Sequence, residues 1–237
     1  MTAVLFAHER PSVTRVVAHV LEARGFTVDT VRDGDAAAAA LRARRYAALV
    51  VDVALPRRPG YELVDVARQA SASGHGAAVV VLVASVFRKT SYKRRPARLY
   101  GADDYVELHH LGDMLPDKLE RHLGTRPESA DPERAERAEQ DATARVFEIA
   151  DARLEDEASE DLAALIIADV VLYNGDRITD TRTVEQARAA LADDLEVAAD
   201  LLRQVQLARG ERVDAGAAIE RAFVDLMRSM GRRQEVG

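Results

Sequence analysis

The stretch ALVVDVALPRRPGYEL, residues 48–63, carries an apolar run that stops at one carboxylate, Asp52, followed by Leu55-Pro56 and then Gly60. That pattern describes a buried strand delivering an acid to the rim of a sheet. A carboxylate so placed is either a group that accepts something or a structural acid that caps backbone amides. Three further pairs sit where other apolar runs end: His8-Glu9, Ala84-Ser85 and Leu108-His109. Two imidazoles and two carboxylates, His8, His109, Glu9 and Asp52, make a donor set for a transition metal if they converge. The competing reading is that His109-His110 simply starts a helix.

These ends belong to a repeating alternation. VLFA (4–7), FTVDTV (26–31), AALVVD (47–52), AAVVVLVAS (77–85) and GADDYV (101–106) read as strands. Between them lie the helical stripe of 13–24 opened by Pro11, the Ala-rich segment opened by Asp33-Gly34-Asp35, GYELVDVARQA (60–70) and LGDMLPDKLERHL (111–123). Val- and Leu-rich strands alternating with amphipathic helices imply an α/β fold, a five-stranded parallel sheet covered on both faces. In that flavodoxin-like, doubly wound arrangement, chemistry lies at the carboxyl ends of the strands.

Residues 1–124 resemble a known family, the CheY-like receiver domains of bacterial response regulators. The residues that carry the likeness are Asp52 with Leu55-Pro56 and Gly60, the Asp33-Gly34 turn with alanines after it, and Gly101-Ala102-Asp103-Asp104-Tyr105. The resemblance implies that Asp52 stands at the phosphoacceptor position. It also implies Mg²⁺ held by an acidic pair after strand 1, a Thr or Ser after strand 4, and a Lys after strand 5. The chemistry explains the set: a carboxylate attacking a charged phosphoryl group needs cations to offset the repulsion. This chain departs from it at each helper. His8 and Glu9 replace the acid pair, leaving only Glu9 and Asp52 as hard ligands for Mg²⁺. Ala84 aligns with the hydroxyl, with Ser85 one residue late, Leu108 replaces the Lys, and His109 replaces the Pro that follows it. The pocket that remains, His8, Glu9 and Ser85 around Asp52, is expected to support weak phosphotransfer or none.

A basic run follows strand 4: Arg88, Lys89, Lys93, Arg94, Arg95 and Arg98. It reads first as a surface for a protein partner or for the chain's own acidic half. Second, it reads as a sensor of an anion such as a nucleotide second messenger. Nucleic acid comes third, because the whole chain carries −7 and no helix-turn-helix is evident.

Charge also divides the chain. Residues 1–124 carry net +4 and residues 125–237 net −11, an asymmetry that favours two domains. The expected organisation is a receiver-like domain at 1–124, a charged linker at 125–141 leading into a helix at Asp131-Pro132, and a helical domain at 142–237. In the helical half, 161–173 is apolar nearly all round and 184–205 and 217–230 carry apolar stripes. No His follows position 122, and no nucleophile–base set or phosphate loop is evident, so no enzyme activity is expected. A small bundle of this kind is expected to form a homodimer. There is no Cys, which excludes disulfides and thiolate chemistry. No leader or span of about 20 apolar residues is present, so a cytoplasmic location is expected. The functional expectation is an atypical response regulator working through protein–protein contacts. The alternatives are the anion sensor and a conventional Asp52 phosphoacceptor.

Overall fold

The computed structural model describes residues 2–84, 99–124, 131–156, 158–181, 183–212 and 214–231. Two compact units emerge, one built on residues 1–84 and 100–150 and the other on residues 151–237.

The first unit holds a five-stranded, all-parallel sheet in the order β2-β1-β3-β4-β5. The strands are β1 (Ala3–Ala7), β2 (Thr27–Val31), β3 (Arg45–Asp52), β4 (Gly76–Ala84) and β5 (Asp104–Glu107). Central strands β1, β3 and β4 are almost wholly buried, as apolar runs with no polar face must be. The helices are α1 (Pro11–Ala23), α2 (Gly34–Ala43), α3 (Gly60–Ala72) and α4 (Met114–Leu123). Asp33 caps α2 by accepting from the Ala36 N–H at 2.9 Å. The fold is the flavodoxin-like, doubly wound one. Its winding reverses between β1 and β3, which makes the crevice beyond those two strand ends the natural place for a site.

Two glycines shape that crevice. A Cβ on Gly60 would lie 2.4 Å from the Asp52 carbonyl oxygen, and one on Gly34 would lie 2.3 Å from the Arg58 carbonyl oxygen. Only hydrogen at these positions lets α3 and α2 start against the β3 loop. That loop turns through Arg57, whose φ is 67°.

The unit does not end at Gly124. Helix α5 (Pro132–Asp156) starts at Asp131, whose carboxylate accepts from the Glu133 N–H at 3.1 Å. Residues 132–141, read from the sequence as part of a linker, are therefore the first turns of a helix. Ala135, Ala138, Ala142 and Val146 are buried along one face, and Ala138 and Ala142 pack against Val20 and Ala23 of α1. Arg24, just past α1, ties the packing together. It donates to Glu139 at 2.5 Å, Glu120 at 2.9 Å and Asp117 at 3.1 Å. Burial alone would lower the Arg24 pKa, but Glu139 and Glu120 outweigh it and raise it.

The second unit is all helical. Helix α6 (Ser159–Tyr173) is buried nearly all round, with α9 (Ala192–Ala208) and α10 (Ala215–Gly231) packed on it. Short helices α7 (Gly175–Ile178) and α8 (Val184–Ala190) lie between. The single helix expected over 184–205 breaks at Leu191. Arg177 donates to the Ala190 carbonyl and pairs with Asp194, diverting a carbonyl that a continuous helix would use for its own ladder.

Candidate functional site

The parallel register decides what sits beside Asp52. Ala7 pairs with Val51, so the next residues, His8 and Asp52, become neighbours across the β1–β3 seam. On its other flank Asp52 is in register with Val83. His8 is 0% exposed and Asp52 1%, so the carboxylate lies closed to water.

His8 Nε2 stands 3.2 Å from Asp52 Oδ2. The other ring nitrogen, Nδ1, accepts the Arg10 backbone N–H at 3.1 Å. A nitrogen that accepts carries no proton, so the ring's proton sits on Nε2, the nitrogen beside Asp52. The approach does not meet hydrogen-bond geometry, but it sets the ring edge against the carboxylate. Asp52 Oδ1 accepts the Ala54 N–H at 2.9 Å. Oδ1 thus accepts one backbone N–H, and Oδ2 lies beside the imidazole edge. The ring of Phe6, on the same face of β1, stacks near His8 with centroids 6.1 Å apart.

Among the described residues, the two arginines of the loop after β3 are engaged with acids. Arg57 lies 3.6 Å from Asp33, and Arg58 lies 3.4 Å from Asp35 and 3.6 Å from Glu62. At the end of β5, Leu108 is buried and apolar. Lys118 is engaged at the start of β5, where it donates to Asp104 at 2.8 and 2.9 Å. His122 and the Tyr105 N–H also reach Asp104. Burial would raise the Asp104 pKa, but Lys118, His122 and Tyr105 together hold it below the ordinary carboxylate value.

The expected site residues divide accordingly. His8 and Asp52 meet. Glu9 lies beside them in sequence, and its carbonyl accepts from Arg32 at 3.2 Å. His109 turns toward Glu107 at 3.5 Å and packs on the His110 ring at 4.1 Å. Among the described residues no three His, Asp or Glu side chains gather as a metal site, so His8, Glu9, Asp52 and His109 do not converge as one. Mg²⁺ wants several oxygens in octahedral array. An imidazole N–H beside the buried Asp52 carboxylate does not fit it. Ser85 and the basic residues Arg88, Lys89, Lys93, Arg94, Arg95 and Arg98 lie outside the described residues. The backbone donors of Arg10 and Ala54 were not legible from the sequence, because any residue type supplies an N–H.

A family model for the response regulator receiver domain matches residues 4–109. This part of the chain is a receiver domain. The chain is 30% identical over 131 residues to the nitrogen assimilation regulatory protein NtrX of Azorhizobium caulinodans, covering 52% of this chain and 26% of that protein. It is 42% identical over 60 residues to the transcriptional regulatory protein TcrA of Mycobacterium tuberculosis, covering 25% of this chain and 24% of that protein. The chain therefore spans about a quarter of the length of these curated relatives. Among solved structures, the response regulator protein TrrA from Thermotoga maritima in complex with Mg(2+)-BeF is 21% identical, with a TM-score of 0.44, covering 52% of this chain and 99% of that one. The chemotaxis response regulator CheY4 of Vibrio cholerae is 23% identical with a TM-score of 0.41, covering 52% and 97%. The receiver is the response-regulator module of two-component signalling, and its matched span takes in the β1–β3 crevice with Asp52. No helix among the described residues is long and apolar enough to cross a membrane.

Proposed function

We propose that this chain is a non-enzymatic signalling protein of the cytoplasm, an atypical response regulator whose receiver domain acts without phosphoryl transfer to Asp52. One observation carries the reading. The Asp52 carboxylate is closed to water, with neutral N–H groups of His8 and Ala54 against its two oxygens. An incoming phosphoryl group needs an exposed nucleophilic oxygen and cationic charge to receive its own oxygens. Here the apolar Leu108 occupies the place of the Lys that would supply part of that charge.

Output then runs through protein contacts. The span 87–110 is proposed as the partner face, and its described part ends on the half-buried His109 and His110. Pairing of two copies through the helical unit has narrower support. Leu207 is 62% exposed, and Leu226, Met227 and Met230 near the end of α10 are half-buried. The test is incubation of the purified chain with acetyl phosphate and Mg²⁺, read by intact mass. The expected spectrum shows no phosphoryl increment. An increment that disappears in Asp52→Ala would instead make the chain a conventional phosphoacceptor.

A further inference from the structure

We propose that His8 is the residue that shuts a divalent cation out of this receiver, by standing in the cation's place with a neutral donor. The proposal rests on the reading of Asp52 as a non-acceptor and names its cause. Asp52 is a buried carboxylate, which a folded chain tolerates only with compensation. Compensation by a cation would require further oxygen ligands around the Asp52 oxygens. The structure compensates differently. The register places His8 directly beside Asp52, and the Arg10 N–H on Nδ1 leaves the ring's proton on Nε2, 3.2 Å from Oδ2. A cation bound at Oδ2 would meet that N–H. The ring cannot simply present a lone pair instead, because moving its proton to Nδ1 would set two N–H groups against each other at Arg10. Packing near Phe6 and complete burial leave the ring no solvent position to swing into. Leu108 removes phosphate affinity, but it is His8 that removes the metal.

The experiment compares the intact chain with His8→Asp and His8→Asn, using Mn²⁺ as a spectroscopic probe and Mg²⁺ as competitor. Asp restores a carboxylate beside Asp52, whereas Asn keeps a short neutral donor. The expected result is no saturable Mn²⁺ binding by the natural chain or by His8→Asn. For His8→Asp, binding should tighten at least about tenfold over the natural chain. It should be displaced by Mg²⁺ and lost again in His8→Asp/Asp52→Asn. Two carboxylates facing each other should also make His8→Asp melt lower in chelator than in Mg²⁺, a second readout independent of the probe. Saturable binding by the natural chain overturns the proposal. So does a His8→Asp chain that neither gains Mn²⁺ nor responds to Mg²⁺ in its melting, including one that stays unfolded with Mg²⁺ present. The acetyl phosphate experiment is separate: a natural chain that stays unmodified while His8→Asp gains nothing leaves the functional reading intact and removes His8 as its cause.

Discussion

Replacing Asp52 by Asn separates two views of the buried carboxylate by the sign of a stability change. The substitution keeps the side-chain shape, so no cavity arises. If Asp52 were an uncompensated buried charge kept for chemistry, removing the charge would stabilise the fold. The geometry here predicts the reverse. Oδ1 accepts from Ala54 and Oδ2 lies 3.2 Å from the protonated nitrogen of His8, so an N–H group is set beside each oxygen. An amide has one acceptor oxygen and one NH₂. Whichever way the introduced amide turns, its NH₂ meets an N–H, and His8 cannot change tautomer because Arg10 occupies Nδ1. One buried N–H is then set against another N–H in place of an acceptor, at a cost of about 1–3 kcal/mol. For a unit of this size that lowers the melting temperature by roughly 3–10 °C. Urea unfolding of the two proteins at neutral pH, with m-values compared to confirm an unchanged unfolded state, measures it directly. An Asp52→Asn chain as stable as the natural one, or more so, refutes the paired-donor account of the site.

Arg24→Ala should destabilise the first unit by about 2–3 kcal/mol, since the half-buried Glu120 and Glu139 lose a shared guanidinium. Hydrogen exchange should then rise along residues 132–146 before the sheet opens; unchanged exchange there would mean that α5 docks without this contact. Gly60→Ala forces a methyl to 2.4 Å from the Asp52 carbonyl oxygen, and the expected loss of roughly 1–3 kcal/mol is checked by chemical denaturation. Asp104, held below its ordinary pKa by Lys118 and His122, contributes stability that is present above the unfolded pKa and lost as pH falls through the lower folded one. Lys118→Met should therefore flatten that acid limb in melting curves between neutral and strongly acidic pH; an unchanged limb would count against the assignment.

The sheet was legible because its strands are apolar runs ending in turn residues, and Asp52 was legible because such a run stops on it. The neighbour of Asp52 was half legible. Sequence placed His8 at a strand end, but only the register between Ala7 and Val51 shows that it abuts Asp52 rather than sharing a metal with Glu9 and His109. His109 escaped because the chain turns directly after β5, at Leu108–His110, and carries the ring toward Glu107. The first turns of α5 look like a linker because most of their residues are charged. Their buried face is made of alanines at 135, 138 and 142, which carry little hydropathy but allow close approach. The break at Leu191 had only a weak local signal, the Asp193-Asp194 pair in the first turn of α9, and the Arg177 contact to Ala190 was not readable from spacing. The basic run at 88–98 lies outside the described residues and keeps its sequence reading.

The most direct test of the closed site is ¹⁹F NMR of the purified chain with beryllofluoride and Mg²⁺, a mimic that needs an accessible aspartate oxygen and a bound cation together. The account predicts only the resonances of free beryllofluoride species. A protein-bound resonance that vanishes in Asp52→Ala would contradict it.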